Sequence, residues 1–188
     1  MGTRAEFSVP VYVADVEDDE RIAIESEISN LDVKFLGGEE YGLESDALLT
    51  DIGKNLLSSG SVEKLKSVFL KHLDQYLTDV NSEVTDVEVI ASWLTKTHKG
   101  QSIEPHSHVD KDISGVYYIN TNGDDGDLIL YSPNPAVDTT RFINSGNMLS
   151  IKPKAGQIVF FPSWLLHSTT KNRTDNERIS LAVDMVVK

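Results

Sequence analysis

The sequence predicts an α+β fold, mainly β, built on a closed or double-sheet β core, and three observations carry that expectation. Two segments near the N-terminus have helical spacing, and everything after Val84 breaks into short strand-forming runs. Gly, Pro and Asn turns separate those runs. With 188 residues, 39% hydrophobic and 25% charged, the chain can bury a core without disulfides or a structural metal. We expect one domain over 1–188, with an N-terminal strand and supporting helices in 1–92 and the main β region in 93–188.

Residues 7–14, FSVPVYVA, alternate loosely and predict a strand, placed at an edge because Pro10 cannot donate to a ladder. DVEDDERIAIESEISNL opens with acids that suit a helix N-terminus and carries Ile22, Ile28 and Leu31 at rough helical spacing, predicting a helix over 18–31. GGEEYGLESD reads as a loop. The clearest helix is SVEKLKSVFLKHLDQYLTDV, with Ser61 as N-cap and Val62, Leu65, Phe69, Leu73, Tyr76 and Val80 as a stripe that would cover a sheet. His72 falls on its solvent face. EVTDVEVIASWLTKTHK is strand-like in its Val, Ile, Trp and Thr content, and His98 belongs to the loop that follows. Asn122-Gly123 and Asp125-Gly126 are hairpin-turn dipeptides leading into DLILY; calcium-loop offsets are absent, so this is a plain turn. At least four further strands follow from Met148 onward.

A formal net charge of -13 disfavours nucleic acid and anionic membranes, and leaves neutral or positive substrates, protein segments among them, unopposed. The chain has no cysteine, which removes disulfides, thiolate nucleophiles and zinc–cysteine sites. The opening apolar run is short and broken by Pro10, fitting neither a signal peptide nor a membrane span, so the expected location is the cytoplasm, or the host cytoplasm for a phage protein. Asn172-Arg173-Thr174 matches a glycosylation pattern that means nothing without secretion.

The chemistry concentrates in HSHVDKDISGVYYI, residues 106–119. Read as an extended strand, it aligns His106, His108, Asp110, Asp112, Ser114, Val116 and Tyr118 on one face, with Val109, Ile113 and Tyr117 on the other. His108 and Asp110, joined by the distant His167, make a two-histidine, one-carboxylate set that occupies one face of an octahedral ion. Such a set suits non-haem Fe(II) and leaves positions for an organic co-substrate and O2, although zinc or manganese would accept the same ligands. Strand parity turns Arg178 and Ser180 inward, while Ile179, Leu181 and Val183 face helices. A buried guanidinium wants an anion, and a small dicarboxylate would satisfy it through a two-pronged pair, with Tyr118 donating a further hydrogen bond. Trp93 and Trp164 are candidates for the mouth, or for the core.

HSHVDKDISGVYYI, GDLILYSP, GQIVFFPSWLLHSTTKN and RISLAV, in that order, resemble the Fe(II)- and 2-oxoglutarate-dependent dioxygenase superfamily over roughly 93–187. Within it they are similar to small hydroxylases of bacteria and phages related to prolyl hydroxylases. The resemblance implies a double-stranded β-helix, or jelly roll, backed by the N-terminal helices. It implies Fe(II) ligands at His108, Asp110 and His167, and a 2-oxoglutarate clamp at Arg178 with Ser180 and Tyr118. Related hydroxylases often read His-x-His before Ser-Gly-x-Tyr-Tyr, which keeps His106 and Asp112 open as ligands. The implied activity is hydroxylation of a peptide or small-molecule substrate coupled to conversion of 2-oxoglutarate and O2 to succinate and carbon dioxide. The competing expectation is a jelly-roll protein that binds metal or ligand without turnover. Residues 133–148, with Arg141, would form the substrate-side loop.

Overall fold

The structure, a computed structural model, describes residues 8–42, 45–134 and 147–188. Its elements in chain order are β1 (Tyr12–Asp15), α1 (Asp18–Ser29), β2 (Leu36–Gly37), β3 (Leu48–Leu49), α2 (Glu63–Asp79), β4 (Val87–Thr97), β5 (Ile113–Asn120), β6 (Leu128–Tyr131), β7 (Met148–Ile151), β8 (Gln157–Pro162), β9 (His167–Thr169) and β10 (Arg178–Val187). Short 3-10 turns lie at Gly38–Tyr41 and Leu56–Ser58. The strands form two antiparallel sheets, a large one in the order β1-β8-β5-β10-β4-β3-β2 and a small one in the order β7-β6-β9. This is the mainly β, double-sheet jelly roll with helices on one side that the sequence predicts.

Alternation within single strands builds both layers of core. In β5 Tyr117 turns toward the helices and Tyr118 toward the small sheet, and in β8 Phe160 and Phe161 divide the same way. Leu65, Phe69, Leu73 and Tyr76 of α2 pack on the outer face of the large sheet against Phe160, Leu181 and Val183. Tyr118, Leu128, Leu130, Val159 and Phe161 fill the space between the sheets. A strand buried on both faces reads as a continuous apolar run, which is why QIVFFP shows no clean alternation.

Several local expectations are corrected. Ser61 is not the cap of α2: Val62 holds that position without a side-chain hydrogen bond, and the Glu27 carboxylate of α1 accepts from the Lys64 and Leu65 amides at 2.7 and 3.0 Å. His72 is half-buried rather than on the solvent face, its Nδ1 2.8 Å from the Tyr12 hydroxyl, and Val80, expected in the apolar stripe, is exposed. The expected loop at 37–46 starts on the last residue of β2 and carries the 3-10 turn at Gly38–Tyr41. The Asn-Gly and Asp-Gly turns do not close a hairpin, since β5 and β6 lie in different sheets and the turns carry the chain across. β1 does sit at a sheet edge. Asn172 is buried, bonding Thr97 and Asn176 carbonyls, and serves as a loop anchor. Arg141 and most of the expected substrate-side loop lie outside the described residues. Among the described residues no helix is long and apolar enough to cross a membrane.

Candidate metal and co-substrate site

The strand β5 starts only at Ile113, and the backbone ahead of it decides where each donor points. His106 forms a two-way bridge with His167, each amide donating to the other's carbonyl at 2.9 Å. The His108 amide donates to Ser163 O at 2.9 Å, holding this segment to the loop between β8 and β9. The chain then turns: Lys111 N–H reaches back to His108 O at 3.2 Å. Strand parity therefore fails at Val109 and Asp110. Asp110 points to solvent, its side chain 76% exposed and paired with Lys111 Nζ at 2.6 Å, and the structure does not bring it to His108 and His167. Asp112 is likewise turned away, accepting from the Val187 amide at 2.7 Å.

What does come together is His106, His108 and His167. One ligand nitrogen from each lies within 4.8 Å of the other two, and the ring centroids are 4.2 to 5.3 Å apart. His106 Nδ1 lies 2.8 Å from Glu104 O and His167 Nδ1 lies 2.8 Å from Leu165 O. A carbonyl only accepts, so Nδ1 carries the proton in both rings and Nε2 keeps its lone pair for a cation. Burial, with His106 and His108 beside it, pushes His167 down to about 3. Desolvation inside the cluster lowers His106 as well, although part of that residue reaches solvent. Neutral imidazoles with their second nitrogens tied back are the donor set a divalent transition metal takes, so these residues fit an iron ion. Asp184 of β10 adds a carboxylate, its Oδ1 2.7 Å from His108 Nδ1.

The same cavity, about 290 Å³, is lined by the three histidines and by Tyr118, Arg178 and Ser180. Arg178, 2% exposed, opens β10, and its guanidinium donates to Gly126 O at 2.7 Å. Among the described residues no carboxylate pairs with it within 4.0 Å; Asp125 and Asp127 act only from farther away. Burial works against its charge. Gly126 makes the contact feasible: its φ is +113°, and a Cβ there would stand 2.5 Å from Thr170 O and 3.1 Å from the guanidinium. Asp125 beneath it is fully buried and held by Thr121, Asn122 and Asn176, so the Asp-Gly turn is a fixed support for the arginine. Burial pushes Tyr118 up to about 12, keeping the phenol protonated as a donor. Trp93 lines the cavity, whereas Trp164 is 49% exposed and outside its lining.

The extended reading of 106–119 favours Asp110 over His106 because it starts the strand seven residues early, at His106 instead of Ile113. It passed over Asp184, although Arg178, Ser180, Ala182 and Asp184 share one parity and all four line the cavity.

A family model described as "Putative 2OG-Fe(II) oxygenase" matches residues 91–184, where 2OG is 2-oxoglutarate. No curated protein sequence matches the chain. Among solved structures the chain is similar to a 2OG-Fe(II) oxygenase family oxidoreductase from Burkholderia pseudomallei, at 13% identity and TM-score 0.68, over 94% of this chain and 85% of that one. It is also similar to a prolyl hydroxylase from Trichoplax adhaerens solved with a hypoxia inducible factor peptide fragment, at 14% identity and TM-score 0.64, over 94% and 83%. A third, HygX from Streptomyces hygroscopicus with nickel and 2-oxoglutarate bound, gives 12% identity and TM-score 0.61 over 95% and 83%. At such identities the structures speak for the fold, and the family match spans half of the chain, including all three histidines and Arg178. The chain belongs to the 2OG-Fe(II) oxygenase family.

Proposed function

We propose that the protein hydroxylates a C–H bond in a peptide or small-molecule substrate, consuming 2-oxoglutarate and O2, with iron held by His106, His108 and His167. The observation that carries this reading is the buried Arg178 guanidinium, without a carboxylate partner among the described residues, in the cavity that the three imidazoles also line. An unpaired buried charge is strongly unfavourable, so the site is built for an anion that arrives with the co-substrate. Arg178 would take the far carboxylate of 2-oxoglutarate through paired N–H donors, with Ser180 and the Tyr118 phenol completing its hydrogen bonds. Fe(II), when bound, would supply chelation of the keto acid and activation of dioxygen, chemistry that no side chain can perform. The chain's own part is to hold the co-substrate end-on between Arg178 and the histidines, and to line the remainder with apolar groups such as Leu128 and Phe161 that keep water out.

His106 takes the place that the sequence reading gave to Asp110, because Asp110 would have to leave Lys111 and the turn at 108–111 would have to open before it could reach the ion. The HygX structure, with metal and 2-oxoglutarate, and the Trichoplax complex, with a peptide, support the cofactor set and a protein substrate by analogy of fold. We further take residues 1–188 as one domain, supported by β1, β2 and β3 of the 1–92 segment pairing into the large sheet.

The test is an anaerobic titration of metal-free protein with Fe(II) and 2-oxoglutarate, following the visible charge-transfer band of the chelate. The band should form in the wild type and in Asp110→Ala, vanish in His106→Ala and His167→Ala, and need a large excess of 2-oxoglutarate in Arg178→Ala. A band lost in Asp110→Ala but kept in His106→Ala would return the ligand role to Asp110. Succinate release that rises on adding a peptide or small-molecule substrate would establish turnover; binding without succinate would leave a ligand-binding protein.

A further inference from the structure

Three imidazoles bring no charge to a dication, and a cavity with mainly apolar walls makes that deficit large. Among the described residues, the carboxylate within 4.0 Å of one of their ring nitrogens is Asp184, on the inward face of β10 opposite Ser114 of β5. It is 7% exposed, and its Oδ1 lies 2.7 Å from His108 Nδ1 yet makes no hydrogen bond among the described residues. A buried, unsatisfied carboxylate oxygen is costly, and proteins retain one where a positive charge will meet it. The neighbouring strand is irregular at this point as well: between Asp184 and Met185 the pairing of β10 with β4 skips Ile90, so β4 carries beside Asp184 a bulge of the kind found next to active sites.

We propose that Asp184 is a positioning residue for the metal, acting through His108: it fixes the His108 ring and supplies from behind that ring the negative charge that the ligand set lacks. This rests on the three-histidine reading above. A metal-ligating imidazole whose other nitrogen faces a carboxylate is a stronger donor, and removal of such a carboxylate weakens metal affinity roughly 10–100-fold. Asp184 is distinct in this from Asp110 and Asp112, which face solvent and the β10 backbone.

The experiment uses Co(II) as the probe, with its dissociation constant measured by competition against a chromophoric chelator and its d–d bands recorded, for the wild type and for Asp184→Asn, Asp184→Ser, Asp184→Glu and Asp110→Asn. Asp184→Asn should weaken Co(II) roughly 10–100-fold while the band positions stay those of the same imidazole donors. Asp184→Ser should repeat the loss with a smaller side chain if the amide disturbs the fold. Asp184→Glu should recover most of the affinity, and Asp110→Asn should match the wild type. Wild-type affinity in both neutral variants overturns the proposal, and so does a d–d spectrum changed as much as by His108→Ala, which would make Asp184 a ligand itself. If His106→Ala and His167→Ala leave Co(II) binding intact, it is the three-histidine reading that has failed, whatever the Asp184 variants show.

Discussion

At Arg178 stability and function pull in opposite directions. Its charge is buried, its guanidinium donates to the Gly126 carbonyl, and among the described residues no carboxylate within 4.0 Å offsets the desolvation. Arg178→Met keeps the length and apolar contacts of the stem while removing the charge. The expected outcome is a metal-free protein whose melting temperature is unchanged or raised, together with 2-oxoglutarate affinity lowered at least about 30-fold, as when a buried charge partner worth roughly 2–5 kcal/mol is removed. Thermal melts with calorimetric titration of 2-oxoglutarate into the metal-loaded protein measure both; a marked fall in melting temperature would mean that the arginine is a structural strut. This residue was legible in the sequence because a strand's period of two survives through β10, so RISLAV assigns faces correctly. The same rule failed at HSHVD, where a turn closed by Lys111 N–H and His108 O interrupts the period without any glycine or proline to announce it.

At the scale of elements, the contact that sets the spacing between α2 and the large sheet is the missing side chain at Gly115. A Cβ there would stand 2.5 Å from Phe69 Cζ and 2.9 Å from Phe160 Cε1, two rings already packed edge to face at 4.9 Å between centroids. The backbone at Gly115 is ordinary extended strand, so the requirement is for space and not for a special φ. Gly115→Ala should therefore destabilise by about 1–3 kcal/mol, the range for overpacking, read as a lower urea midpoint with an unchanged m-value. An alanine variant as stable as the wild type would show that α2 rides on the sheet loosely. The α2 stripe itself could be read from sequence, since 3.6-residue spacing is local information. Its cap could not: Glu27 arrives from α1, 37 residues before Lys64, and only tertiary packing brings it there. The Asn-Gly and Asp-Gly dipeptides named their turns correctly, yet whether a turn joins neighbours in one sheet or carries the chain between two sheets depends on strand pairing that no dipeptide encodes.

For the whole molecule, acid should act first through histidines held neutral by the fold, before the carboxylates of this -13 protein begin to protonate. His167 is pushed down to about 3 and His72 is also lowered, both chiefly by burial, from an ordinary value of 6.5 that the unfolded chain regains. The unfolded state then binds protons below pH 6.5 that the native state refuses, so stability is fully present above that value and falls as the pH drops toward the folded value. For metal-free protein at pH 5, His167 alone should remove about 2 kcal/mol relative to pH 7.5, and the partly exposed His72 should remove less. Urea unfolding at the two pH values measures the difference, and His167→Gln should flatten most of it. A wild-type midpoint that does not move between pH 7.5 and 5 would mean that the His167 ring reaches water in the metal-free protein. The bridge joining His106 to His167 would then be open, and the three donors would be assembled by the metal instead of by the two sheets.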